Sequence, residues 1–132
     1  MLNIHDLVVV VCNYFQLSED LIYSGLNKRP YSSARQLIWK IIKLKQKDNI
    51  SYKSIGQLFN NRSHATILQG IVSITNQLET DRLLNTQYKE ILFRLNVLEK
   101  SIDIKGQLIA LLEESDIDRL KYKIQLFINT LV

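Results

Sequence analysis

At 132 residues, 46% hydrophobic and 23% charged, the chain holds enough apolar material for one soluble core, or one core with an appendage. One proline and four glycines argue against a β-rich or linker-rich chain. The net charge of +4 is unevenly spread: −3 over residues 1–26, +8 over 27–78 and −1 over 79–132, so the middle stretch points to a polyanionic partner.

In chain order, Ile4, Leu7, Val8, Val11 and Phe15 follow i, i+3, i+4 spacing and predict an amphipathic helix over about Asn3 to Gln16. That period outweighs the strand propensity of Val8 to Val11. Cys12, the only cysteine, falls on the apolar face of this helix. It has no partner for an intrachain disulfide or a cysteine metal site, and it reads as a buried thiol in a reducing compartment. The longest apolar run, Leu7 to Cys12, is too short to cross a membrane, and no basic leader precedes it. The expected location is the cytoplasm, at the nucleoid.

Ser18 followed by Glu19 and Asp20 has the form of an N-cap with acids in the first turn. It predicts a short helix from Glu19 to Tyr23, closed by Ser24-Gly25. Asn27-Lys28-Arg29-Pro30 is a basic loop, and Pro30 suits a helix start just after it. A long helix is expected from Tyr31 to Lys47. Ala34, Leu37, Ile38, Ile41 and Leu44 would face inward, Trp39 would lie along a core edge, and Lys40, Lys43 and Lys47 would form a basic stripe opposite.

Ser51 is the expected N-cap of the next helix, with Ile55, Leu58 and Phe59 as its apolar stripe. Gly56, unfavourable within a helix, suggests a close approach of another element. A polar turn, Asn60-Asn61-Arg62-Ser63, leads to a helix from His64 to Leu78. Its expected buried face is Ile67, Leu68, Ile71, Val72, Ile74 and Leu78, and its open face is Ala65, Thr66, Gln69, Gly70 and Ser73.

The stretch IGQLFNNRSHATIL resembles the signature of the C-terminal DNA-binding domain of DnaA, the bacterial replication initiator, roughly I-G-x-x-F-G-x-R-D-H-[ST]-T-V. Ile55, Gly56, Phe59, Arg62, His64 and Thr66 match it. Ala34-Arg35-Gln36 resembles the family's A-R-Q, and the basic loop and opening helices agree in order, so the likeness covers about Asn3 to Leu95. What it implies is an all-α, Trp-repressor-like helix-turn-helix domain that binds double-stranded DNA, with the His64 helix in the major groove. His64, Ala65, Thr66 and Gln69 would then meet bases. Ser63 would stand where the family has its base-reading Asp, Arg35, Gln36, Lys53 and Arg62 would hold the phosphate backbone, and Lys28 or Arg29 would reach the minor groove. Departures from the pattern are Ser63, Ala65 where a Thr is common, Asn60 for a Gly, and Asn27 where the family often has its minor-groove Arg.

After about Leu83 a second theme begins. Leu84, Tyr88, Ile91, Leu95, Leu98, Ile102, Lys105, Ile109 and Leu112 alternate spacings of four and three, a heptad seam that predicts one helix from about Asp81 to Glu114 or two broken near Gly106. Ser115 with Asp118 resembles a capping box for a last helix whose seam is Ile117, Leu120, Ile124, Phe127 and Leu131. The expected organisation is therefore a helix-turn-helix domain over residues 1–96 and a helical hairpin or coiled-coil extension over 97–132. That extension would pack on the core, pair two copies, or hold a helical protein partner.

No G-x-x-x-x-G-K-[ST] loop occurs, so no nucleotide is expected, nor any metal or other cofactor. His5 and His64 are far apart, and no carboxylate pair or nucleophile constellation suggests an enzyme. The leading expectation is a free-standing, non-enzymatic DNA-binding protein in replication or transcription control. The alternative is a helical adaptor that keeps the fold without sequence-specific DNA binding.

Overall fold

The computed structural model describes residues 3–46, 49–113 and 116–131, and among these every regular element is a helix. Seven α-helices are described: α1 (Ile4–Phe15), α2 (Glu19–Tyr23), α3 (Tyr31–Gln46), α4 (Tyr52–Leu58), α5 (His64–Thr80), α6 (Arg82–Glu113) and α7 (Ile117–Leu131). Lys47 of the expected basic stripe, Glu114 at the expected end of the long helix and the expected Ser115 cap lie outside the described residues. The chain packs as two compact units, Leu2–Leu95 and Asn96–Val132.

Helix starts follow local chemistry. The Asn3, Ser51 and Ser63 side chains each accept a bond from the backbone N–H three residues on, satisfying one of the orphan donors at a helix N-terminus. Ser18 occupies the N-cap position of α2 but makes no capping bond with its side chain. Between α5 and α6, Asp81 accepts from the Leu84 N–H, and Asp116 accepts from the N–H groups of Asp118 and Arg119 at the start of α7.

In the first unit α3 is the central strut, packed against α1, α2 and α5, while α4 packs on α5. The core joins Leu7, Val8, Val11 and Cys12 of α1 to Ile38, Trp39, Ile41 and Ile42 of α3, Ile55 of α4 and Ile67 of α5. Ile91 and Leu95 of α6 close it. Trp39 is buried, in T-shaped contact with Phe59 at 6.1 Å, and lies at the edge of the core as expected, where it lines the groove between α3 and α5.

Four apolar side chains expected inward are exposed. Leu44 lies beyond Ile42, where the buried residues of α3 end, and Leu58 lies beside the buried Ile55–Gly56–Phe59 face. In α5 the buried residues are Ile67, Gly70, Ile74 and Leu78, while Leu68 and Val72 face solvent. The cause is Gly70: the Trp39 ring lies so close that a Cβ there would stand 2.6 Å from Cζ3. Seating Gly70 beneath the indole rotates the helix, which turns Leu68 and Val72 outward.

Within the second unit, α6 beyond Asn96 and α7 form a hairpin. Between them runs an open apolar groove of about 200 Å³, lined by Gln107, Ala110 and Leu111 on one side and Lys123, Leu126 and Phe127 on the other. Helix α6 runs unbroken through Gly106. The heptad seam is not the hairpin contact. Its first half, Leu84 to Leu95, serves the core of the first unit. Its second half, Leu98, Ile102, Ile109 and Leu112, stays exposed, because α7 docks on a different side of α6.

Candidate nucleic-acid interface

The turn between α4 and α5 is built by its backbone. Asn60 and Asn61 adopt left-handed φ values of 59° and 53°, a geometry asparagine tolerates better than most residues. The Gly56 carbonyl accepts from the N–H groups of both Phe59 and Arg62, which folds the turn back on α4. A Cβ at position 56 would collide with the Arg62 carbonyl oxygen, so the close approach signalled by this glycine is to the turn.

This turn presents the first residues of α5. His64, Ala65, Thr66 and Gln69 are all exposed. The His64 ring lies 6.0 Å from that of Tyr52, so the first turns of α4 and α5 stand side by side, with Lys53 exposed beside them. Ser63 is also exposed, yet its hydroxyl is committed. It accepts from the Thr66 N–H at 3.2 Å and sits 2.9 Å from the Thr66 hydroxyl, which makes it a helix cap before anything else.

Between α3 and α5 runs an open groove of about 280 Å³. Five of the expected residues meet there: Arg35, Gln36, Arg62, Thr66 and Gln69. Ser32, Trp39, Gly70 and Ser73, which the motif did not mark, also line it, together with Asn27. Their signal was a spacing of three to four on α3 and α5, hidden until the two helices are packed. Gln36 Oε1 and Trp39 Nε1 are buried at this groove without a hydrogen-bond partner.

Arg35 is a correction. Expected on the phosphate backbone, it is 1% exposed, and its guanidinium donates to the carbonyls of Ile22, Leu26, Leu21 and Ser24 at 2.8, 2.9, 3.0 and 3.3 Å. It is a clamp that ties the end of α2 and the following loop to α3. Burial, with the nearby charge of Arg62, pulls its pKa down from 12.5 to about 10. Arg62 is half-buried and donates to the carbonyls of Phe59 and Ser24, with Asn27 Oδ1 at 3.4 Å. Burial lowers its pKa too. Both guanidiniums are bound to neutral acceptors, so their positive charge reaches the groove with no carboxylate among the described residues to cancel it.

The basic stripe on α3 is likewise engaged. Lys40 donates to the Thr75 hydroxyl, and Lys43 donates to the Ile50 carbonyl while sitting 4.6 Å from the centre of the Tyr52 ring. Lys28 is exposed in the loop before α3. Arg29 lines a separate, largely apolar cavity with Phe15, Leu37 and Leu84, so the structure does not bring it to the groove. No group of His, Cys, Asp and Glu residues able to hold a metal ion occurs among the described residues. No helix there is long and apolar enough to cross a membrane.

Comparison with known proteins agrees with this geometry. Residues 4–74 match the family described as the bacterial DnaA protein helix-turn-helix. The chromosomal replication initiator protein DnaA of Bacteroides thetaiotaomicron is 32% identical over 89 residues, which cover 67% of this chain and 18% of that protein. The DnaA of Acholeplasma laidlawii is 32% identical over 101 residues, 76% of this chain and 20% of its own length. The chain thus spans about a fifth of the relatives it matches. The matched region takes in α1 to most of α5, with the turn, the groove and the exposed N-terminal turn of α5, and it is non-catalytic. On that match the chain belongs to the bacterial DnaA helix-turn-helix family.

Proposed function

We propose that this chain binds double-stranded DNA through the groove between α3 and α5, with the first turns of α5 in the major groove, in replication or transcription control. The observation that carries the reading is the pairing of an exposed, uncharged first turn of α5 with two guanidiniums that have no carboxylate partner among the described residues. An uncharged face can enter the groove without repelling the bases, and uncompensated positive charge beside it attracts the phosphates. Lys53 and Lys28, both exposed, supply further backbone contacts.

The test is the affinity of the full chain for mixed-sequence duplex DNA between about 50 and 200 mM salt. Log affinity is expected to fall linearly with log salt, and Lys53→Ala to reduce that slope by about one. Thr66→Ala is expected to flatten sequence preference. Lack of duplex affinity at low salt would sink the reading.

A specific observation also favours a protein partner for the second unit. No described residue from Asn96 onward is buried, and Leu112 and Ile117 are 86% and 69% exposed. Apolar surface of this kind is a feature of interaction sites. A second copy or another helical chain would cover it. Light scattering across a concentration series checks this: a mass that stays monomeric at high concentration excludes the second copy.

A further inference from the structure

The exposed half of the α6 seam carries a charge at its centre. Leu98, Ile102, Ile109 and Leu112 form one heptad-spaced stripe and are 37%, 39%, 46% and 86% exposed. The stripe runs for about 21 Å along the helix. Lys105 occupies the seam position between Ile102 and Ile109. The residues three and four positions from it are Ser101, Ile102, Leu108 and Ile109, so α6 itself offers it no carboxylate. It makes no ion pair among the described residues. Beside it, a Cβ at Gly106 would meet nothing within 4 Å, which leaves that side of the helix open to close approach.

A second copy fits this stripe poorly. Lys105 stands seven residues from Leu98 and seven from Leu112, at the centre of the seam. Two copies paired in parallel and in register therefore set Lys105 against Lys105, and antiparallel pairing with the ends aligned does the same. Either way two ammoniums meet inside an apolar seam, where like charges repel and each loses its water. A shift of one heptad parts them but covers only half of the stripe. A single lysine in a seam is a device that selects partner and register. We infer that α6 from Leu98 to Leu112 docks an amphipathic helix of a different protein, apolar at heptad positions and carrying one Asp or Glu at the centre of its stripe. The four apolar side chains supply the contact, and the pairing of Lys105 with that carboxylate supplies the selectivity. This inference rests on the reading of the second unit as a partner surface and is independent of duplex binding.

Three synthetic helical peptides test this against the full chain, with identical apolar heptads and Glu, Gln or Lys at the central seam position. Binding is read by calorimetry or by the anisotropy of a labelled peptide. The Glu peptide is expected to bind at least about ten-fold tighter than the Gln peptide, with the Lys peptide weakest. Lys105→Glu, at an exposed position, is expected to fold like the wild type by circular dichroism and to reverse the order, preferring the Lys peptide. The double variant Ile102→Asp, Ile109→Asp is expected to abolish binding of all three. Equal affinities of the wild type for the three peptides, or an order unchanged in Lys105→Glu, overturn the inference while the partner surface stands. Binding that survives in the double variant also overturns it, since the peptide then sits elsewhere. A wild-type dimer by light scattering that the double variant dissolves overturns it in favour of a second copy. No binding of any peptide by a chain that stays monomeric overturns both the inference and the surface reading on which it rests.

Discussion

Arg35→Ala decides between a clamp and a phosphate ligand. The substitution removes four donors at 2.8–3.3 Å from four carbonyls. The Leu21 carbonyl keeps the Ser24 hydroxyl at 2.7 Å, and the Ser24 carbonyl keeps Arg62 at 3.2 Å. Ile22 and Leu26 lose the donor that the guanidinium gives them, about 1–3 kcal/mol each where water does not replace it. Emptying the space of a long buried stem adds on the order of 2 kcal/mol. Against this, a cation whose pKa is held down to about 10 is disfavoured by burial, and its removal returns roughly 3 kcal/mol. The net loss is about 3 kcal/mol, or a melting temperature lower by roughly 12–24 °C. Urea unfolding followed by circular dichroism and Trp39 fluorescence measures it, with DNA binding assayed where the variant is folded. Arg35→Lys is expected to fall between, since one ammonium cannot span four carbonyls. A variant within about 0.5 kcal/mol of wild type that loses affinity equally on all sequences would refute the clamp and restore the phosphate contact.

Gly56→Ala forces a Cβ against the Arg62 carbonyl, so the turn must open; a loss of about 2–4 kcal/mol in thermal or urea unfolding is expected. Gly70→Ala places a methyl 2.6 Å from Trp39 Cζ3, and it should cost about 1–3 kcal/mol and shift the Trp39 emission maximum, since the indole must move. Cys12 is buried and its thiol is raised from 9.0 to about 11, first by burial and then by Glu19. A raised acid pKa means that the folded state favours the neutral thiol. Its contribution is complete below pH 9 and is lost as pH rises towards 11, on the order of 2–3 kcal/mol. Cys12→Ala should therefore flatten the decline of stability over that window, and the native thiol should resist a disulfide reagent at pH 8 unless the chain unfolds.

How much was legible in the residues depended on whether the cause was local. Periodicity placed α1 to α5 within two residues at their ends, because the 3.6-residue period and capping side chains act within one turn of chain. The turn was legible in Asn60-Asn61-Arg62-Ser63, and the need for a close approach in Gly56, although the partner, the Arg62 carbonyl, was not. Residue types around the turn also pointed to the groove that gathers Gln36, Arg62, Thr66 and Gln69.

What only packing decided was which way the side chains turn. A helix stripe drawn from spacing has an uncertainty of about one residue in rotation, enough to exchange Leu68 and Val72 with Gly70. The contact that resolves it, Trp39 on Gly70, joins residues 31 positions apart. Arg35 reads as a surface cation until the carbonyls of the α2–α3 loop are seen to converge on it. The heptad spacing correctly announced a long apolar face after Leu83, yet spacing carries no information about what covers that face. Composition and period alone thus determine the helices and the chemistry they carry. Contacts between distant residues determine which of that chemistry is left facing a partner.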